Sequence, residues 1–282
     1  MNMGQALAKR ELQDGIRLYH QQNHEAAIRK WRRALHRMTN RSHRFLTLGY
    51  LAAAHCEFGR YRDMLAYAVM QIEIANEAEN PVMRVEAYLN LARSNERLCE
   101  YHKAVSYSRH CLQNKPRDIR TYGYVYLTQG NAYFGFSNFT KSLEMLEYAV
   151  RIAKKCKDLE LEIQIYTTLG HVFLQLKDYD KGLKFHLKAM ESAKSLAETE
   201  PSTKYQRLTF LNLGIAYQKL GRPAQALECS EVSEDVDALD SRTKSSQVIT
   251  NTGVYVEGDL NSRSLFLSGF WILEIFWIYV VL

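Results

Sequence analysis

The chain has 282 residues, of which 46% are hydrophobic, and its 37 Lys and Arg residues outnumber its 31 Asp and Glu residues to give a net charge of +6. Its five cysteines are scattered through predicted helices and turns, which excludes the cysteine framework of a small disulfide-stapled secreted protein and favours a reducing compartment. No basic-then-apolar signal opens the chain, so no secretory signal peptide is predicted and we expect the chain to face the cytosol.

Residues 1–10 form a predicted lipidation and basic segment. If translation starts at Met3, Gly4 becomes the N-terminal residue and a candidate for N-myristoylation, although Ala8 stands where the motif prefers Ser or Thr. A start at Met1 removes that site. Basic residues cluster in and just after this segment, and we predict that they form a membrane-binding patch: Lys9, Arg10, Arg29, Lys30, Arg32, Arg33 and Arg37.

A single myristoyl chain binds membranes marginally, whereas a chain combined with a polybasic patch makes a stable anchor. The two N-terminal features therefore support each other. The alternatives for the basic patch are a nucleic-acid site or a solvated face of the first repeat.

Residues 11–230 contain a fragment that returns six times. A small residue is followed nine positions later usually by an aromatic residue, three positions after that usually by a second small residue, and then always by an aliphatic residue. Successive first small residues are 37 to 44 positions apart. The predicted packing positions are Gly15, Ala27, Ala52, Ala92, Ala104, Gly130, Gly170, Gly182, Gly214 and Ala226.

Two small residues that face each other across a short turn let two helices pack closely, and no strand alternation competes with this period. The pattern resembles the tetratricopeptide repeat, in units slightly longer than the usual 34 or so residues. We predict an all-α fold, a superhelical solenoid of antiparallel helix pairs with about six units, the last of them incomplete. Turns around Gly59 and Gly221 separate the helices of a pair.

The repeat pattern stops near residue 230. Residues 231–262 are predicted to be a polar linker, and residues 263–282 form an apolar tail. The last nineteen residues carry one charge, at Glu274, and a segment of this length can just span a bilayer. The tail is interpreted as the product of a retained intron or alternative exon, as a C-terminal membrane anchor, or as an apolar packing segment.

Catalytic motifs are absent from the sequence, so we predict no enzyme activity, no cofactor and no metal site. There is no phosphate-binding loop, nucleophile elbow or H-E-x-x-H helix. The one Cys/His cluster comprises Cys99, His102, His110 and Cys111. His102 and His110 are eight residues apart on one predicted helix, about 12 Å along its axis, which is too far for a single zinc ion.

One stretch is specific enough to suggest a family. Residues 88–103, from Tyr88 to Lys103, resemble the rapsyn family of scaffolds, which cluster nicotinic acetylcholine receptors at the neuromuscular synapse; residues 3–5, 59–61, 177–179 and 220–222 are also similar. The resemblance covers about residues 3 to 230. It implies a peripheral protein on the cytoplasmic side of the postsynaptic membrane, with myristate on Gly4 and an association with the cytoskeleton. It also implies self-association and binding to receptor cytoplasmic loops.

We therefore expect a receptor-clustering scaffold that binds an anionic membrane surface and no nucleic acid, because basic residues are not spread along the whole array. The alternative is a generic helical-repeat adaptor that binds peptide segments of cytosolic partners. Binding residues are expected on the concave face formed by the first helices, where His55, Arg93, Asn95 and Gln218 are candidates.

Overall fold

The structure is a computed structural model that describes residues 3–21, 23–199 and 203–234. Within these ranges the chain forms twelve helices and no strand, in two compact units that divide between Ala78 and Glu79. The first unit contains α1 (Met3–His20), α2 (His24–Arg37), α3 (Arg41–Glu57) and α4 (Tyr61–Glu77). The second contains α5 (Pro81–Arg97), α6 (Tyr101–Gln113), α7 (Ile119–Gly135), α8 (Phe139–Cys156), α9 (Leu159–Gln175), α10 (Tyr179–Thr199), α11 (Thr203–Lys219) and α12 (residues 223–234).

The predicted domain limits do not coincide with helix ends. The limit at residue 10 lies inside α1, which continues to His20, and the limit at residue 230 lies inside α12. From residue 235 onward the predicted linker and apolar tail lie outside the described residues. No helix in the described ranges is long and apolar enough to cross a membrane.

Helices pack as hairpins in the order that the repeat predicted. Each odd-numbered helix is followed, after a turn of three residues, by its even-numbered partner, as at residues 98–100, 136–138 and 176–178. In the five pairs from α1 and α2 to α9 and α10, the two partners pack against each other. The predicted all-α fold of repeated helix pairs is confirmed.

The small residues allow close contact within a pair. Gly130 of α7 lies beside Ser142 of α8, whose Oγ donates a 2.9 Å hydrogen bond to the Gly130 carbonyl oxygen. A Cβ on Gly130 would lie 2.8 Å from the side chain of Leu146, closer than van der Waals contact permits. Leu146 is fully buried, so the space that glycine leaves is filled from the partner helix.

At Gly15, Gly130 and Gly170 the side chain sixteen positions later fills the space that the glycine leaves. A side chain on Gly15 would overlap the Trp31 ring, and one on Gly170 would overlap the His186 ring. Where the first residue is larger, as at Ala52, the residue sixteen positions later is the small, buried Ala68. Size is therefore balanced across each of these contacts, as expected for an interior that is close-packed.

Turns within the pairs share one backbone conformation. The residue seven positions after the first small residue has a positive φ in five pairs, at Gly59, Cys99, Ser137, Lys177 and Gly221. Only glycine adopts this conformation without a steric cost from Cβ. The two glycines predicted at turns are therefore accounted for, and the three other residues occupy it under mild strain.

His186 is a buried polar residue in the second unit. It has no exposed surface, and neither ring nitrogen has a hydrogen-bond partner. Its ring lies 5.2 Å from that of His171, centroid to centroid. Burial, with a smaller contribution from His171, holds the His186 pKa well below its usual value, so the ring is neutral in the folded protein at neutral pH.

Lys177→Gly is expected to stabilise the protein. Glycine removes the Cβ strain at φ 59°, which is about 1–2 kcal/mol, and loses about 0.5–1 kcal/mol through the freedom it gains in the unfolded chain. A net gain of about 0.5 kcal/mol follows, measurable as a shift in the urea midpoint. Lys184→Gly, in the middle of α10, is the control and destabilises by about 1 kcal/mol. Equal effects of the two substitutions would contradict the assignment of strain to residue 177.

The stability of the protein should fall on acidification because of His186. The unfolded-state pKa is about 6.5 and the folded-state pKa is lower, so below pH 6.5 the unfolded chain binds more protons. The free energy of unfolding then falls with pH, by at most about 1.4 kcal/mol per pH unit from this residue. Urea titrations between pH 7.5 and 5.5 measure the slope. His186→Leu should reduce it, whereas the exposed-residue variant His36→Gln should retain it.

Candidate functional site: the N-terminal basic surface

The predicted lipidation site lies beside the C-terminal end of α2. The Gln5 side chain bridges the two helices, because its Nε2 donates to the Arg37 carbonyl oxygen at 2.8 Å and its Oε1 accepts from the Thr39 backbone N–H at 3.4 Å. Gly4, one residue earlier, is thereby held next to the basic last turn of α2, which contains His36 and Arg37.

A buried tryptophan fixes the packing of α1 on α2. Trp31 donates from Nε1 to the Leu12 carbonyl oxygen at 3.3 Å and stacks on Tyr50 at 5.2 Å between centroids. Its ring lies against Gly15. Of the basic residues of α2, Arg29 and Arg33 lie on the exposed surface outside this core.

Three of the seven predicted patch residues already have partners within the protein. Arg37 pairs with Glu11 at 2.7 Å, and Lys30 with Asp14 at 3.6 Å. Arg32 donates from Nε to the Tyr67 hydroxyl at 3.2 Å. The two ion pairs offset the charges of Arg37 and Lys30, whereas the bond to the neutral Tyr67 hydroxyl leaves the charge of Arg32 unchanged; Glu11 is itself nearly buried. Arg37 therefore has a structural role.

The other four predicted residues are uncompensated. Lys9, Arg10, Arg29 and Arg33 are exposed and have no ion pair or hydrogen bond within the described part of the chain. Arg29 and Arg33 are one turn apart on the same face of α2. We define the free basic surface as these four residues.

Leu7 adds an apolar element that the charge pattern did not indicate. Its side chain is 43% exposed on α1, between Gly4 and the basic residues Lys9 and Arg10. Exposed leucines are common on protein surfaces. The signal for it in the sequence is the apolar run Ala6-Leu7-Ala8, which begins two positions after the predicted lipid acceptor.

Two of the four candidates for the concave binding surface are buried, so the expectation was wrong for them. Asn95 donates from Nδ2 to the Leu91 carbonyl oxygen at 2.7 Å. His55 has no exposed surface and lies 3.3 Å from the Asp63 carboxylate. Burial lowers the His55 pKa, with the Asp63 carboxylate acting in the opposite direction. Arg93 lies 5.8 Å from the Tyr124 ring centroid, and Gln218 is exposed.

Polar contacts join successive first helices of the second unit. The Thr168 hydroxyl of α9 donates to Asn131 Oδ1 of α7 at 2.9 Å, and His171 Nε2 lies 3.1 Å from Asn212 Oδ1 of α11. Both contacts join equivalent repeat positions. Asn131 and His171 directly follow the first small residue of their own repeat, and Thr168 and Asn212 stand two positions before the first small residue of the following repeat. The repeat spacing shows that these positions are equivalent, but a polar contact between them was not predicted.

The Cys/His cluster is separated into unrelated contacts. Cys111 is buried and its Sγ donates to the Val85 carbonyl oxygen at 3.3 Å, and burial raises the pKa of its thiol to about 12. His102 lies against Phe136, and His110 stacks on Tyr88. Among the described residues no group of three or more His, Cys, Asp or Glu side chains is placed to hold a metal ion.

Comparison with known proteins gives matches along most of the chain. A family model described as the rapsyn N-terminal myristoylation and linker region matches residues 3–82, and two tetratricopeptide-repeat models match residues 85–118 and 161–237. Two curated proteins, both named 43 kDa receptor-associated protein of the synapse, come from Gallus gallus and Tetronarce californica. They are 42% and 40% identical to this chain over 233 residues.

The resemblance to the rapsyn family is confirmed. The aligned region is 82% of this chain and 56% of each relative, so the chain spans about half the length of the curated relatives that it matches. The match to the myristoylation region includes Gly4 and all seven predicted basic residues.

Solved structures support the fold. A thermophilic tetratricopeptide-repeat protein of Thermus thermophilus is 20% identical, with a TM-score of 0.51 over 66% of this chain and 92% of its own. Aspartyl phosphate phosphatase F of Bacillus subtilis is 11% identical, with a TM-score of 0.63 over 92% of this chain and 65% of its own. At these identities the likeness concerns the fold alone, and it confirms the predicted tetratricopeptide-type helical-repeat architecture.

The pairing of Arg37 with Glu11 predicts that two neighbouring arginines differ in their effect on stability. Arg37→Gln leaves a carboxylate that is 9% exposed without its partner, and it should destabilise the protein by about 1–3 kcal/mol. Arg33→Gln, on the exposed face, should change stability by no more than about 0.5 kcal/mol. Urea unfolding monitored by far-UV circular dichroism measures both. Similar losses for the two variants would show that Arg37 has no special structural role.

Proposed function

We propose that this chain is a peripheral scaffold on the cytoplasmic side of the postsynaptic cell membrane, where it binds and clusters nicotinic acetylcholine receptors. The observation that carries the proposal is the similarity, over 233 residues, to two receptor-associated proteins of the synapse. Scaffolding requires binding surfaces and no reaction centre, so the proposed role is non-enzymatic and uses no cofactor.

Membrane attachment is assigned to the N-terminal unit. Myristate on Gly4 supplies one anchor, and the free basic surface of Lys9, Arg10, Arg29 and Arg33 supplies the second, through anionic headgroups. Support comes from the exposure of these four cations and from the exposure of Leu7, which lies between Gly4 and two of them in the sequence. A second anchor within residues 263–282 is a separate proposal, which concerns residues outside the described ranges.

Partner binding is assigned to the repeats. Tetratricopeptide arrays present extended surfaces to segments of other proteins, and here the partners are receptor cytoplasmic loops, other copies of the chain and the cytoskeleton. The support is the repeat fold together with the names of the relatives. Nucleic acid is not among the proposed partners.

The free basic surface predicts a defined loss of membrane affinity. In sedimentation with vesicles of phosphatidylcholine containing about 30% phosphatidylserine, Arg29→Gln/Arg33→Gln should bind about 30-fold more weakly, since each surface cation contributes about 1 kcal/mol. Lys184→Gln/Lys194→Gln removes the same charge from the exposed face of α10 and is the control. Gly4→Ala, in chains co-expressed with N-myristoyltransferase, should abolish stable binding because the remaining electrostatic anchor is insufficient alone.

The same variants test the receptor role in cells that co-express the chain with nicotinic acetylcholine receptors. Receptor clusters should form with the unaltered chain and with the control variant, and they should be lost with Gly4→Ala. Mass spectrometry of the N-terminal peptide reports whether Gly4 carries myristate. An unmodified chain that starts at Met1, leaves vesicles unbound and forms no clusters would replace the scaffold proposal with a cytosolic helical-repeat adaptor.

A further inference from the structure

A second candidate surface lies in the second unit, as a cleft between α6 and α8 with the end of α7 as its floor. Its volume is about 350 Å³. His102 and Arg109 line it from α6, seven residues apart and therefore on one face of that helix. Tyr133 and Phe136 form the floor, and Asn138 and Lys141 line it from the start of α8.

Positive charge in this cleft is uncompensated. Arg109 and Lys141 are exposed, and within the described ranges neither makes an ion pair. The ammonium group of Lys141 lies 5.5 Å from the Tyr133 ring centroid. No acidic residue lines the cleft. Of the acidic residues nearby in sequence, Glu100 pairs with Lys103 at 3.4 Å, and Glu144 follows Lys141 by three positions on α8 without lining the cleft.

The neighbouring repeats show why Lys141 is free. In the preceding pair Lys103 is neutralised by Glu100, and in the following pair Lys181 is neutralised by Asp178 at 2.7 Å. Both acidic residues stand three positions before their lysine. The residue three positions before Lys141 is Asn138, whose uncharged side chain caps α8 by accepting from the Lys141 backbone N–H at 3.2 Å. Asn138 therefore caps α8 but forms no ion pair with Lys141.

The charge of the cleft is specific to this repeat. One repeat later, the position of Arg109 is occupied by Glu147, and that of Asn138 by Asp178. The same repeat geometry therefore carries an acidic residue at each of these two positions. Because fold and packing are satisfied by either sign, the basic character between α6 and α8 is not a requirement of the repeat.

The floor of the cleft adds an apolar contact. Tyr133 and Phe136 are partly exposed, and the His102 ring lies 4.3 Å from that of Phe136, centroid to centroid. Cations around an aromatic floor suit a ligand that combines negative charge with an apolar side chain. We propose that this cleft binds an acidic peptide segment of a partner protein, with carboxylates at Arg109 and Lys141 and an apolar side chain on Tyr133 and Phe136. The proposal does not depend on membrane binding or on the identity of the receptor.

Fluorescence anisotropy of a labelled nonapeptide with Asp and Glu residues on both sides of one Leu tests the proposal on the full chain. The matched peptide has Asn and Gln in place of the acidic residues and should bind at least about tenfold more weakly. Arg109→Gln/Lys141→Gln should weaken binding of the acidic peptide about tenfold. Raising the salt from about 50 to about 300 mM should weaken it further, because the contacts are exposed to solvent.

Asn138→Asp is the sharpest variant, because it restores the ion pair of the neighbouring repeats without removing either cation. Asp caps helices as well as Asn does, so the fold is retained, while the introduced carboxylate neutralises Lys141. Binding should fall about fivefold. The reciprocal variant Asp178→Asn frees Lys181 in the next repeat and should leave peptide binding unchanged, as should Lys184→Gln/Lys194→Gln.

Four outcomes would overturn the proposal. The acidic and amide peptides could bind equally, or Asn138→Asp could leave affinity unchanged while circular dichroism shows an intact fold. A phosphoserine peptide of otherwise uncharged sequence could bind while the acidic peptide does not, which would assign the cleft to phosphate. Self-association that is lost in Arg109→Gln/Lys141→Gln, measured by sedimentation, would assign it to a second copy of the chain. The vesicle assay is unaffected by these variants, so failure here is distinguishable from failure of the membrane proposal.

Discussion

The close approach of the two helices of each pair is the contact on which the rest of the structure depends. A single atom at Gly130 or Gly170 would collide with the partner helix, so these positions have little freedom. The partner residue then has a size set by the space left to it, as shown by Leu146 and His186 opposite glycine and by Ala68 sixteen positions after Ala52. Reciprocal size, rather than one fixed residue type, is what the repeat preserves.

Much of this was predictable because the constraint is local and periodic. The period predicted the helix pairs, the short turns between them and the small positions, and each of these depends on residues close together in the sequence. The burial of His55 and Asn95 was not predicted. Their polar character indicated a surface role, whereas their positions three residues after Ala52 and Ala92 place them in the packed face. For these two residues register decided burial, because helix geometry fixes which face of the helix a residue occupies.

The basic patch was predicted as a set, and the structure divides it. A count of charges treats Arg33 and Arg37 alike, but Arg37 reaches across to Glu11 on α1 and Arg33 does not. This distinction depends on the antiparallel arrangement of α1 and α2, which joins residues 26 positions apart. Sequence periodicity predicts that two helices pair but not which ion pairs form between them. The structure is therefore needed to distinguish the unpaired basic residues from the paired ones.

The same reasoning explains how a repeat protein acquires different surfaces without altering its fold. The packing positions occupy one face of each helix, and the positions between them tolerate either sign of charge, as Arg109 and Glu147 show at equivalent places. The helix cap also forms with either residue type, because Asn138 and Asp178 both accept from a backbone N–H of their helix. Only Asp178 forms an ion pair with the lysine three residues later. A change from carboxylate to amide at a capping position thus alters surface charge at almost no cost in helix stability. Because the sign of the charge at such positions hardly affects folding, an unpaired charge there is better evidence for a binding surface than an unpaired charge at a packing position.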